Sequence, residues 1–235
     1  MELTINPLTL RGLLSPASAF ASSDDMLPVL NAVHLRSQDG DLIATATDRF
    51  VVGMFREKGN WPEFEALIPL PAVRAIVRAF CAAKGSTTDL TLSVEGEVLY
   101  VTSTGGLGFD FADARIGYRL EVGTFPNVVR LIPGALAEPP RDGATSAFNP
   151  AFLARFAKVG STLAWRIGSG RQPTVITDGE RFVGAIMPRR MQAAESTADP
   201  GDYGIDFDKA LAGVADIYAE PKPAPKKRAS RKKAS

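Results

Sequence analysis

A strand, then a helix opened by proline, then several strands: this order recurs three times along the chain, and no other feature limits its fold so tightly. In the first copy Glu2–Ile5 has a strand pattern. Asn6 is placed to cap a helix and Pro7 to begin it, because a first-turn proline forfeits no hydrogen bond. Leu8, Leu10, Leu13 and Leu14 follow, and Pro16 is expected to disturb the helix. Strands are expected at 32–37, 42–47 and 50–55, with Gln38-Asp39-Gly40-Asp41 as a hairpin turn. The second copy opens with a strand at 65–68. Pro69 and Pro71 punctuate the start of a helix over about 71–84. Val73, Ile76, Val77 and Phe80 fall at i, i+3, i+4 and i+7, which makes one face apolar, while Arg74 and Arg78 share another. Strands are expected at 90–94, 98–102, 108–111 and 118–122, with Glu95-Gly96-Glu97 as a tight turn. The third copy predicts a strand at 145–148, a cap at Asn149 and a helix from Pro150. Phe152, Leu153 and Phe156 form its apolar face; Arg155 and Lys158 face elsewhere. Strands at 163–167, 174–177 and 182–187 follow, with Asp178-Gly179 as a turn. One-sided helices and strands must bury their apolar faces against each other, so the class is α+β.

The formal charge of +1 conceals an asymmetry. Of 27 Lys and Arg, seven (Lys222, Lys226, Lys227, Arg228, Arg231, Lys232 and Lys233) lie after Glu220, where no acid occurs. The preceding chain holds 20 bases against 26 acids, about −6. An acidic body repels DNA at long range, so contact would need a local basic surface or the tail. Residues 221–235 carry no large apolar side chain and are expected to be a disordered basic tail. That tail reads either as DNA-attracting, through phosphate neutralisation and counterion release, or as solubilising. Residues 134–143 are rich in Pro, Gly and charge and read as a link. Residues 193–220 read as loop and short helix.

Several classes find no support. No run of about 18 apolar residues occurs, so no membrane span is expected. Residues 1–9 lack a basic region followed by an apolar run, so no secretory signal is expected. Cys81 is the sole cysteine, which excludes an intrachain disulfide and fits a reducing cytoplasm. His34 is the sole histidine and has no metal-spaced partner; it reads as a core or edge-strand residue. No nucleophile elbow and no phosphate-cradling glycine motif is present. The Gly105-Gly106-Leu107-Gly108 stretch lacks a following helix and a lysine. Asp24, Asp25, Asp39, Asp41, Asp48, Asp110, Asp113 and Asp178 sit at caps, turns and strand ends, without the constellation a two-metal nuclease needs. No enzyme, cofactor or metal is expected.

Four stretches carry more specific information. Residues 42–53 read LIATATDRFVVG, residues 122–133 VGTFPNVVRLIP, residues 147–160 AFNPAFLARFAKVG and residues 182–191 FVGAIMPRRM. Alone they are strand ends, a turn and a helix. Together they resemble, in order and spacing, bacterial DNA polymerase III beta subunits, the sliding clamps. The first is similar to that family's "ATDGHRL" strand, though the Gly-His pair between Asp and Arg is absent and Phe50 stands for Leu. The second is similar to "FPDYRRV", the third to the "FNxxYLxDxL" helix and the fourth to "YVVMPMRL".

The resemblance implies a DNA-clamp fold, with antiparallel sheets outside and helices inside. Residues 1–133 would match the clamp's middle domain, and residues 134–192 would be a partial second clamp-type domain, like the C-terminal half of the last. The first domain and half of the last have no counterpart. It also implies a partner-peptide pocket walled by Thr47, Arg49, Phe50, Pro126, Arg130, Leu131, Ile186, Met187, Pro188, Arg189, Arg190 and Met191. Phe50, Leu131, Met187 and Met191 would offer adaptable apolar surface, and Arg130 or Arg190 could hold a carbonyl or carboxylate. Alone, the helix bases read as ordinary solvated faces. In a clamp, Arg11, Arg74, Arg78, Arg155 and Lys158 would touch duplex phosphates without reading sequence, aided by Lys226, Lys227, Arg228, Arg231, Lys232 and Lys233. The function implied is a replication processivity factor tethering a DNA polymerase to double-stranded DNA. A clamp loader is expected only for a closed ring. Chain length suits a trimer and repeat count a tetramer. The alternative is a clamp-derived, non-encircling module that regulates replication or transcription. The location implied is the cytoplasm of a bacterial cell, with the short chain suiting a phage-encoded form.

Overall fold

The structure is a computed structural model that describes residues 1–81, 88–103, 113–137, 146–167 and 172–189. The first repeat comprises β1 (Glu2–Ile5), α1 (Pro7–Ala17), β2 (Ala32–Gln38), β3 (Asp41–Thr47) and β4 (Val51–Glu57). The second comprises β5 (Glu65–Pro69), α2 (Leu70–Phe80), β6 (Leu90–Glu95), β7 (Val98–Ser103) and β8 (Ala114–Arg119). After it come a 3₁₀ turn, Val128–Arg130, and α3 (Leu131–Ala137). The third repeat comprises α4 (Pro150–Leu153), a 3₁₀ stretch Ala154–Lys158, β9 (Ala164–Arg166), β10 (Thr174–Thr177) and β11 (Phe182–Ile186).

Local chemistry explains most element ends. Asn6 accepts from Leu8 N and Asn149 from Ala151 N, so both asparagines cap as their sequence position predicts. Asp39 and Gly40 have φ of 54° and 85°, the left-handed pair a two-residue hairpin turn requires. Four expectations fail. Pro16 lies inside α1, because its missing N–H falls in the last turn, where the cost is one bond. The second helix ends at Phe80 rather than about 84; Cys81 already has φ −117° and ψ 11°. The strand expected at 118–122 runs instead over Ala114–Arg119, in register with β7. Residues 146–148, expected as a strand, are coil. The strand expected at 108–111 lies outside the described residues.

The repeats exchange their first strands. β1 pairs antiparallel with β6, and β5 with β2. The outcome is a four-stranded sheet, β1-β6-β7-β8, and a seven-stranded sheet, β5-β2-β3-β4-β11-β10-β9. α1 packs on α2. One core joins Leu3, Ile5, Leu10, Leu14, Val33, Leu35, Ile76, Leu92 and Val101. The third repeat has no second sheet among the described residues. It extends the first repeat's sheet through the β4–β11 ladder, where Gly53 faces Gly184. A Cβ on Gly53 would stand 2.5 Å from the Phe20 ring, and one on Gly184 2.8 Å from Val52 O. The two glycines therefore make room for an aromatic cluster of Phe20, Phe55, Phe156 and Phe182 beneath the seam.

Candidate functional site

The opposite face of the seven-stranded sheet carries the site. Residues 120–137 form a strap that crosses it from one edge to the other. Glu121 N donates to Leu67 O of the β5 edge. Phe125 stacks on His34 of β2, with centroids 4.9 Å apart. Val128 packs on Val52 and Ala185, either side of the β4–β11 seam. Ile132 and Ala135 pack on Val175 of β10, and Arg166 of β9 donates to Leu136 O. The helix within the strap was not foreseen: residues from 134 onward read as a link, yet apolar burial of Ile132 and Ala135 fixes a helix over Leu131–Ala137.

At the upper end of the seam the Thr47–Val51 turn is locked by its own side chains. Thr47 Oγ1 donates to Val51 O at 2.7 Å, and Asp48 Oδ1 accepts from Phe50 N and Val51 N. Arg49 adopts φ 83°, a conformation that strains a residue with a Cβ. Phe50 leaves half its surface exposed and stacks on Phe152 of α4, centroids 5.4 Å apart. Its carbonyl accepts from Met187 N, and Arg189 N donates to Ala147 O. Thr47, Phe50, Met187, Pro188 and Arg189 thus gather where β4 begins and β11 ends. Of the strap, Val128 packs on this seam, whereas Pro126 lines the cavity near the β5 edge; Arg130 and Leu131 follow Val128 in the strap, with Leu131 50% and Met187 37% exposed. Ile186 and Thr47 belong to the buried scaffold (Ile186 is wholly buried) and support the surface rather than form it. Arg190 and Met191 lie outside the described residues.

The helix bases divide. Arg74 and Arg78 are exposed on α2, and Arg11 on the adjoining α1, reaching toward Cys81 O at 3.5 Å. Lys158 meets Arg11 around a shallow depression with Gly12, Ser15 and Pro16. Arg155 behaves otherwise. Its guanidinium binds Asp48 Oδ2 at 2.8 Å, approaches Phe20 O at 3.3 Å and lies over the Phe152 ring. A 3₁₀ stretch replaces the expected α-helix there, which turns Arg155 toward the seam and commits its charge. The tail bases from Lys226 onward lie outside the described residues.

A cavity of about 540 Å³ lies under the strap near the β5 edge and is lined by His34, Arg36, Glu65, Leu67, Phe125 and Val128. His34 Nε2 and Glu65 Oε1 are 2.8 Å apart. Burial nonetheless holds the imidazole pKa below its usual value, against the opposing pull of Glu65. Glu65 is mostly exposed, so its attraction is screened. Burial also pushes the Cys81 thiol up to about 11, which leaves it protonated and unreactive. The polar His34 and Arg36 at alternate positions of a buried strand were the sequence signal for this cavity. Among the described residues no group of acids, His or Cys could hold a metal, and no helix is long and apolar enough to cross a membrane.

No protein-family model and no curated protein matches the sequence. Solved structures do match in fold. A Pseudomonas aeruginosa DNA polymerase sliding clamp superposes with TM-score 0.64 at 14% identity, over 81% of this chain and 66% of that one. The DnaN sliding clamp (DNA polymerase III subunit beta) of the same organism, bound to griselimycin, gives 0.65 at 13%. The DNA polymerase III beta subunit of Thermotoga maritima gives 0.65 at 14%, over 82% of this chain and 66% of that one. This chain therefore has the sliding-clamp fold and spans about two thirds of the length of those clamps, just under that fraction.

Proposed function

We propose, with the clamp fold as premise, that the chain is a replication processivity factor that holds a DNA polymerase on duplex DNA through a peptide pocket on the strapped seam. The observation that carries the reading is convergence. Segments separated by tens to more than a hundred residues, each similar to a pocket segment of the clamps, meet at one end of the β4–β11 ladder. Met187 and Phe50 present apolar surface there for a Leu- or Phe-bearing segment, with the exposed Leu131 of the strap as a further apolar wall. Arg130, Arg189 and Arg190 add charge for a peptide carboxylate. The exposed Arg11, Arg74, Arg78 and Lys158 supply sequence-neutral phosphate contacts, with the tail as an added electrostatic hold. Arg155 is left out of the DNA set, because Asp48 neutralises it. Residues 1–133 act as one clamp-type domain and 134–192 as a partial second. The role involves no catalysis and no cofactor, places the chain in the bacterial cytoplasm, and requires a loader only for a closed ring.

Fluorescence anisotropy with a labelled clamp-binding peptide tests the pocket. Charged substitutions at Met187 and Met191 should weaken binding at least tenfold, about 1.4 kcal/mol, with the fold intact by circular dichroism. Unchanged affinity would refute the pocket. Retention on circular but not linearised DNA, lost in Arg74→Glu with Arg78→Glu, supports encirclement. Peptide binding without topological retention favours the non-encircling module.

A further inference from the structure

The cavity between the strap and the β5 edge holds two polar groups that the described residues leave unsatisfied. His34 of β2 is 9% exposed and Thr45 of β3 7%, and the two are direct cross-strand partners. Both line the cavity. His34 Nε2 meets Glu65 Oε1 at 2.8 Å. A carboxylate only accepts, so Nε2 carries the proton of the neutral ring. Nδ1 is then a bare acceptor that points away from Glu65. Among the described residues neither Nδ1 nor the Thr45 hydroxyl has a hydrogen-bond partner. Thr47, two residues along the same strand, differs: its hydroxyl donates to Val51 O. No fully enclosed side-chain nitrogen or oxygen among the described residues lacks a partner, so Nδ1 and the Thr45 hydroxyl both open onto accessible space. The space that the two residues share is the cavity.

We propose that this cavity binds a small, flat, uncharged heterocycle carrying an amino group beside a ring nitrogen, the edge that adenine and cytosine present. The amino N–H donates to His34 Nδ1, and the Thr45 hydroxyl donates to the ring nitrogen. Cross-strand partners stand about 4.5–5.5 Å apart at Cβ, which lets both groups reach one edge of one ring. Both groups are uncharged, so a charged edge would lose its hydration without meeting a counter-charge. At the rim Arg36 is engaged by Gln38 and stands with Glu65 and Glu121. No excess of positive charge is there to draw a phosphate. Leu67, Leu120 and Val128 supply apolar wall for the ring faces, beside Phe125 stacked on His34. The volume of about 540 Å³ suits a ligand of nucleoside size. The site lies on the β5 side of the strap, away from the β4–β11 seam, so it stands or falls independently of the peptide pocket.

Nitrogen NMR of the full chain with isotope-labelled histidine tests it, because the chain holds one histidine and its two ring signals are unambiguous. Titration with adenosine should move the Nδ1 resonance saturably, as a bare acceptor gains a donor. Purine riboside, which lacks the amino N–H, should bind roughly three- to tenfold more weakly, the worth of one neutral hydrogen bond. Thr45→Val, which keeps the side-chain shape and deletes the hydroxyl, should weaken adenosine by a similar factor. A short oligoadenylate is titrated in parallel. A shift with adenosine assigns the site to a free nucleoside, and a shift with the strand alone assigns it to a base within a nucleic acid. No saturable shift with either overturns the proposal. Equal affinity of the wild type for adenosine and purine riboside also overturns it, and that comparison needs no variant to fold.

Discussion

The complete unit and the third repeat begin from the same sequence pattern and end in different states. In the unit, 11-residue helices α1 and α2 pack on each other, and each sheet receives a strand from the other repeat. In the third repeat the helix shortens to Pro150–Leu153 before tightening into 3₁₀, and all three β9 residues are exposed. What holds the third repeat is shared with its neighbours: the aromatic cluster under the seam, where Phe156 and Phe182 meet Phe20 and Phe55, and the strap across the other face. Amphipathic periodicity therefore specifies an element only as far as a partner exists to bury it.

Three measurements can break or sharpen that contrast. The largest effect is expected at the seam. Phe182→Ala removes a wholly buried ring shared by both regions and should cost roughly 3–5 kcal/mol. Hydrogen exchange should then rise in β9–β11 while β2 and β6 keep their protection; a uniform rise would mean that the two regions unfold as one. A smaller loss is expected from Asp48→Ala, which strips Phe50 N and Val51 N of their acceptor and leaves Arg155 unpaired. With Asp48 only 9% exposed the cost should be about 1–3 kcal/mol, read as a lowered denaturant midpoint. Arg155→Met in the same background should add little; additive losses would show that the ion pair is not the link between turn and third repeat.

The smallest effect concerns pH and the unit alone. His34 is held neutral by burial, so the folded state binds its proton less readily than the unfolded chain does. Its stabilising contribution is complete above the unfolded value of about 6.5 and declines as pH falls toward the lower folded value. The melting temperature should drop modestly across that window, and His34→Gln should flatten the drop. An unchanged slope would assign the dependence elsewhere.

Most of the complete unit was legible because its signals are local. The cap at Asn6, the Asp39-Gly40 turn and the Val73, Ile76, Phe80 face depend on neighbours in sequence, as does the cap at Asn149 in the third repeat. The misreadings share one cause. Residues 146–148 have strand composition but no ladder; Arg155 lies on a helical pattern that tightens; the 114–119 strand is placed by β7; and the strap helix is fixed by Val175 rather than by its own propensity. Convergence of the site segments was legible only through the family resemblance, since no periodicity brings residues near 50, 130 and 187 together.

Strand exchange ties the first two repeats together, because β1 lies on β6 and β5 on β2. Neither repeat can close its own sheet. A genetic break between them, after Glu57, would leave two sheets each short of a strand. The two repeats are therefore a single heritable piece, to be gained, lost or shuffled only together.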